Sequence, residues 1–207
     1  MVAGDTIRVD PSFLELLPMQ SRKTESRKTA PRETADEHLV WPDEIHALFR
    51  AHQVKQVAYV PDGGHAQLIS AVEADPSMRG IVLTTEEEGV ALAAGAWLGG
   101  ERAALLMQSS GVGNCINMLS LIKTCRFPFL TLITMRGEWG EFNHWQVPMS
   151  SATQASLELM DLHIMRAEHP AEVRDVVHHA AAMAYQGGSA VAVLLSQRLV
   201  GSKVFVK

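Results

Sequence analysis

Three acidic residues stand side by side in Thr84-Thr85-Glu86-Glu87-Glu88-Gly89, where an apolar run gives way to an alanine-rich one. Carboxylates at such a place complement a helix dipole, worth about 0.3–1 kcal/mol, or hold a proton for a reaction. A second segment, Gln108-Ser109-Ser110-Gly111-Val112-Gly113-Asn114, has glycines that let backbone approach an anionic ligand. It lacks the third glycine of a dinucleotide fingerprint, and tight-turn geometry accounts for it equally well. The third, residues 136–149 (RGEWGEFNHWQVPM), starts at Arg136 and offers His144 and Gln146 as hydrogen-bond donors. Its Trp139, Phe142 and Trp145 can exclude water from chemistry or pack an interface. The fourth, Pro61-Asp62-Gly63-Gly64-His65, combines a tight turn with a histidine able to assist an anionic group, although helix capping explains the turn residues too. Cys115, beside the second segment, has no base nearby in the sequence and reads as a small packing residue. His178 and His179 are neighbours on a helix and read as solvated, and no histidine has metal-ligand spacing with nearby acids.

Something must bring these four segments together, and the rest of the chain supplies it. The apolar pattern predicts helices over 42–52, 66–74, 87–98, 153–160 and 170–185, and one that follows a glycine-rich turn over 108–114 and runs through about 123. Strands are predicted over 54–60, 80–84, 103–107, 129–135, 164–167 and 190–195, with an irregular stretch over 136–150. The strands are apolar without alternation, and most are followed by a helix. That pattern predicts an α/β fold: a doubly wound, mainly parallel sheet with helices on both faces. Ligands of such sheets gather at the C-terminal ends of the strands, and all four chemical segments follow strands.

The segment over 86–95 (EEEGVALAAG) resembles a pattern found in thiamine-diphosphate enzymes of the decarboxylase and acetolactate synthase group. There a glutamate opens a helix, and small residues lead to a glycine nine positions on. Glu86 and Gly95 have that spacing, so the resemblance selects Glu86 from its two neighbours. Thr85 departs from the pattern, since many relatives carry histidine there. Residues 107–117 (MQSSGVGNCIN) and 136–149 resemble, in the same order, segments of sulfopyruvate and phosphonopyruvate decarboxylases. The likeness runs from about Trp41 onward, to the pyrimidine-binding (PYR) domain and especially to the sulfopyruvate decarboxylase alpha subunit.

The resemblance implies thiamine diphosphate as cofactor. Glu86 would hydrogen-bond the ring nitrogen N1′ of its aminopyrimidine and so activate thiazolium C2. Ser110, Gly111, Gly113 and Asn114 would line the cofactor. His144 and Gln146 are the expected partners in proton transfer, and His65, Gln108 and Arg136 would bind the anionic substrate. The GDG-plus-asparagine motif that holds magnesium and the diphosphate does not occur in these 207 residues. The expected arrangement is therefore a separate beta subunit carrying the diphosphate domain and Mg2+, with active sites between subunits of an α2β2 or larger assembly. The expected reaction is decarboxylation of a sulfopyruvate- or phosphonopyruvate-like 2-oxo acid. A carboligase of the acetolactate synthase type and a non-catalytic flavodoxin-like module are the alternatives.

Composition is compatible with this. A hydrophobic fraction of 47% is enough for one buried domain, expected over 38–207. Residues 1–37 are polar around a small apolar island and repeat SRKT, so a flexible N-terminal extension is expected. The net charge of −5 gives no support for nucleic-acid or membrane-surface binding. No apolar run reaches the ~18–20 residues of a membrane span. With only two cysteines and no apolar segment in 1–10, a cytoplasmic location is expected.

Overall fold

All six residues of Phe129–Thr134 are buried, which a strand achieves only when both faces of its sheet are covered. The computed structural model describes residues 40–201; the expected extension over 1–37 lies outside the described residues. Within them the chain runs α1 (Val40–Ala51), β1 (Val54–Tyr59), α2 (Ala66–Ala74), β2 (Arg79–Val82), α3 (Glu87–Leu98), β3 (Arg102–Gln108) and α4 (Ser109–Cys115). It continues with α5 (Ser120–Cys125), β4 (Phe129–Thr134), α6 (Gln146–Leu159), β5 (His163–Ala167), α7 (Pro170–Tyr185), β6 (Ala190–Leu195) and α8 (Gln197–Val200).

The six strands form one sheet in the order β2-β1-β3-β4-β6-β5, and every neighbouring pair is parallel. Trp41, Ile45 and Phe49 of α1 pack with residues of α2 and α7 against one face. Val90 and Ala93 of α3, Val112, Ile122 and Leu157 cover the other. The two-layered core explains why the strands lack alternation: each strand residue meets a helix on whichever side it points. Removing a side chain such as Phe49, which is fully buried, costs about 3–5 kcal/mol.

Two predicted elements differ from the structure. The glycine-rich turn expected over 108–114 is largely the short helix α4, and the helix expected after it is broken before α5, because the hydrogen bonds of Ser120, Leu121 and Ile122 reach back three residues, to Asn117, Met118 and Leu119. That tighter winding is a 3₁₀ turn. The irregular stretch is also shorter than expected, since α6 begins at Gln146. Pro148 lies in its first turn, where an amide hydrogen has no helical partner to lose. The short helix α8 carries too little periodicity to be read from sequence.

After β1 the chain winds outward to β2, then returns across β1 to β3. This reversal is the topological switch point of the sheet, where helices depart to opposite faces and leave a crevice beyond the strand ends.

Candidate active site

The crevice contains a cleft of about 150 Å³ lined by Val60, Pro61, Asp62, Glu86, Gln108 and Ser110. Three loops build it, from the ends of β1, β2 and β3. Glu86 lies at the N-terminal edge of α3, and its carboxylate lines the cleft without capping the amides of its own helix. It is only 9% exposed. Asn114 Nδ2 donates to its Oε2 at 2.8 Å. Gly111 presses against it so closely that a Cβ there would collide with Oε1.

The neighbouring acids have other tasks. Glu88 accepts from the Thr84 amide at 2.8 Å, and Glu87 accepts from the Thr85 hydroxyl at 3.1 Å. Helix-start electrostatics thus account for Glu87 and Glu88. Glu86 is different because it is oriented by a residue 28 positions away.

Asp62 is the residue that sequence reasoning missed. Its Oδ1 accepts from Gln108 Nε2 at 2.9 Å, and its Oδ2 accepts from Thr134 Oγ1 at 2.6 Å and from the Gly64 amide at 3.2 Å. Ser110 Oγ in turn donates to Gln108 Oε1 at 2.9 Å. A carboxylate held by donors from three strand ends is a built feature. The turn reading of Pro61-Asp62-Gly63-Gly64 hid it, although an acid at the C-terminal end of the first strand was a usable signal.

Other expected site residues are placed differently. His65 is 1% exposed, and its Nε2 lies 3.2 Å from the Leu132 carbonyl oxygen. Burial holds its pKa below the ordinary value. The ring therefore packs under the turn as a neutral group and does not reach the cleft. Arg136 is 6% exposed, and its fork grips Glu141 through Nε at 2.7 Å and a terminal nitrogen at 2.8 Å. That pairing, rather than an open cation, is what Arg136 presents to a small pocket of about 90 Å³ beside Asp62. His144 is exposed and Gln146 half-buried on the loop after β4, and neither lines the cleft. Gly113 is exposed, facing Met149. Cys115 is buried, and desolvation together with the charges of Glu86 and Glu87 pushes its thiol up to about 12, so it is no nucleophile.

A sheltered carboxylate oriented by an amide can hold a proton against a ring nitrogen. The cleft is about half the lower bound of ordinary ligand sites, roughly 300–1,000 Å³. It therefore suits one end of a ligand whose remainder is enclosed elsewhere. Among the described residues, no group of three or more His, Cys, Asp or Glu is arranged to hold a metal ion. None of their helices is long and apolar enough to cross a membrane.

No family model matches the chain. Over 129 residues it is 38% identical to the sulfopyruvate decarboxylase subunit alpha of Methanothermobacter thermautotrophicus, covering 62% of this chain and 78% of that protein. Over 111 residues it is 40% identical to the phosphonopyruvate decarboxylase of Streptomyces viridochromogenes, covering 53% of this chain but 28% of that one. Among solved structures, a 2-oxoglutarate:ferredoxin oxidoreductase from Magnetococcus marinus superposes with a TM-score of 0.64 at 14% identity, over 77% of this chain and 29% of the other. That last likeness is one of fold.

Proposed function

Since this chain belongs to the family of sulfopyruvate decarboxylase alpha subunits, we propose that it is the cofactor-activating subunit of a thiamine-diphosphate-dependent 2-oxo acid decarboxylase. The observation that carries this reading is Glu86, sheltered at the switch-point cleft and oriented by Asn114. A scaffold module would have no use for such a carboxylate, and no feature of the site favours a carboligase.

The residues present fit the aminopyrimidine end of the cofactor: a sheltered carboxylate, a small cleft, and the hydroxyl of Ser110 and amide of Gln108 at its wall. Among the described residues no cluster of three or more His, Cys, Asp or Glu could hold magnesium. In our reading a beta subunit holds magnesium and the diphosphate and closes the cleft, in an α2β2 or larger assembly placed in the cytoplasm. Bound thiamine diphosphate supplies the nucleophilic carbon for the 2-oxo group and the electron sink for the charge that carbon dioxide leaves behind. Glu86 holds the proton at the pyrimidine nitrogen N1′, and Asn114 keeps its carboxylate in line. Ser110 and Gly111 would let the backbone of the third loop lie close to the ring, whereas Gly113 faces Met149. Asp62, fixed by Gln108 and Thr134, faces the same cleft and can hold or release a proton beside the substrate. His144, exposed at the loop tip, is the candidate for proton delivery to the product. The substrate class is a small anionic 2-oxo acid such as sulfopyruvate or phosphonopyruvate.

Co-purification with the candidate beta chain, followed by carbon dioxide release assays on sulfopyruvate, phosphonopyruvate and pyruvate, tests this. Turnover is expected only with both chains, thiamine diphosphate and magnesium together. Turnover without the cofactor, or a condensed product in place of an aldehyde, would overturn the reading.

A further inference from the structure

Gln197, the first residue of α8, is 1% exposed, yet both polar atoms of its side chain and its backbone amide are engaged with a loop 56–59 residues away. Its Oε1 accepts from the backbone amides of Glu138 at 2.8 Å and Trp139 at 2.9 Å. Its Nε2 donates to Glu141 Oε2 at 3.0 Å, and its own amide donates to Glu138 Oε2 at 3.2 Å. Only a glutamine has this reach together with one donor and one acceptor. Glutamate would lose the donor and face two carboxylates.

The grip passes onward. Glu141 also holds the Arg136 fork and accepts from the Asn143 amide at 3.0 Å. The bond from Arg136 and those from the Gly137 and Asn143 amides keep its carboxyl down at about 2, so it stays charged at any working pH. The Arg136 amide donates to Ser109 Oγ at 3.1 Å, and Ser109 sits between Gln108 and Ser110 of the cleft wall. Outside the clamp, Arg198 lies 4.1 Å over the Trp139 ring, and Arg166 pairs with Glu138 at 2.5 Å. β4 and β6 are adjacent strands, so their C-terminal loops are near enough for one side chain to join them.

We propose that Gln197 is a positioning residue that holds the loop 136–145 as a pre-formed outer wall behind the cleft, where the Arg136 amide meets Ser109 and its side chain shares a pocket with Asp62, so that this loop does not close over substrate as a lid. The inference rests on the decarboxylase reading for its link to catalysis. Loosening a pre-formed wall shifts the ordering of the loop onto the binding step, which raises KM while leaving kcat nearly intact. A merely structural role would instead lower the active fraction, moving apparent kcat and not KM.

The test uses the complex reconstituted with the beta chain. Gln197→Glu and the uncharged, equally long Gln197→Met are each expected to raise KM about tenfold with kcat within about twofold. In the unaltered chain alone, the Glu138 and Trp139 amides should exchange with solvent at least about a hundredfold slower than unprotected amides, and partner, cofactor and substrate should add little. An unchanged KM in both single variants, or amides that become protected only on assembly, would overturn the proposal. If the unaltered complex turns over no 2-oxo acid, the decarboxylase reading fails, while the exchange measurement still decides whether the loop is clamped.

Discussion

Glu86→Gln keeps the shape of the side chain and its acceptor for Asn114 while removing the charge that shares a proton. In the reconstituted complex this is expected to lower turnover at least about a hundredfold, with the thermal midpoint of the chain little changed. A fall of less than tenfold in steady-state assays would mean that the carboxylate is not the activating group. Cys115 gives a second residue-scale expectation. With its thiol pushed up to about 12 and buried, it should resist alkylation at pH 8, whereas exposed Cys125 should react. Mass spectrometry should then find one modified cysteine in the native chain and two in denaturant.

At the scale of the element, α3 has two glycines that sequence likeness treats as parts of one pattern but that packing separates. Gly89 faces the sheet, where a Cβ would collide with the Leu105 side chain and lie 3.0 Å from that of Leu83. Gly89→Ala is expected to destabilise the chain by about 1–3 kcal/mol through overpacking. Gly95 has nothing within 4 Å of a Cβ position. Gly95→Ala should therefore stabilise the isolated chain by about 0.5–1 kcal/mol, the usual gain in a helix interior. Urea midpoints of the two variants, moving in opposite directions, are the check. Elements with strong local signals were legible: Ala66–Ala74, Glu87–Leu98, Pro170–Tyr185 and Ala190–Leu195 have the same bounds in sequence and structure. Pro170 opens α7, and Glu172 accepts from the His169 amide at 3.2 Å, so that helix announces its own start. The 3₁₀ turn between α4 and α5 was not legible, since an apolar period does not distinguish three residues per turn from 3.6 over so short a stretch.

For the whole molecule, two buried histidines set the direction of its pH dependence. His52 joins the end of α1 to α7 through a 3.2 Å contact with His178, and burial, His178 and Arg102 lower its pKa. His65 is lowered by burial as well. A folded pKa below the unfolded value means that the unfolded chain binds more protons, so stability rises with pH across that interval. Stability should therefore be complete above the ordinary histidine value of about 6.5 and be lost progressively as pH falls below it. Thermal midpoints at pH 7.5 and 5.5 test the sign, and His52→Gln should shrink the difference. An unchanged midpoint between the two pH values would show that neither histidine is buried neutral.

Local patterning determined the α/β class, the parallel sheet and the placing of Glu86 at a strand end, because strand, helix and turn signals act over a few residues. It also placed all four chemical segments on one edge, since that edge follows from parallel strands alone. Tertiary structure decided which side chains meet there. Asp62 finds Gln108 46 residues away, and Gln197 finds Glu138 59 residues away, only because the strand order brings those loops together. The same contacts settled Arg136, whose charge read from sequence as open to a substrate and which folding matches to Glu141. A hydrogen bond between distant segments leaves no periodic trace in the chain, so its partners appear only once the sheet is assembled.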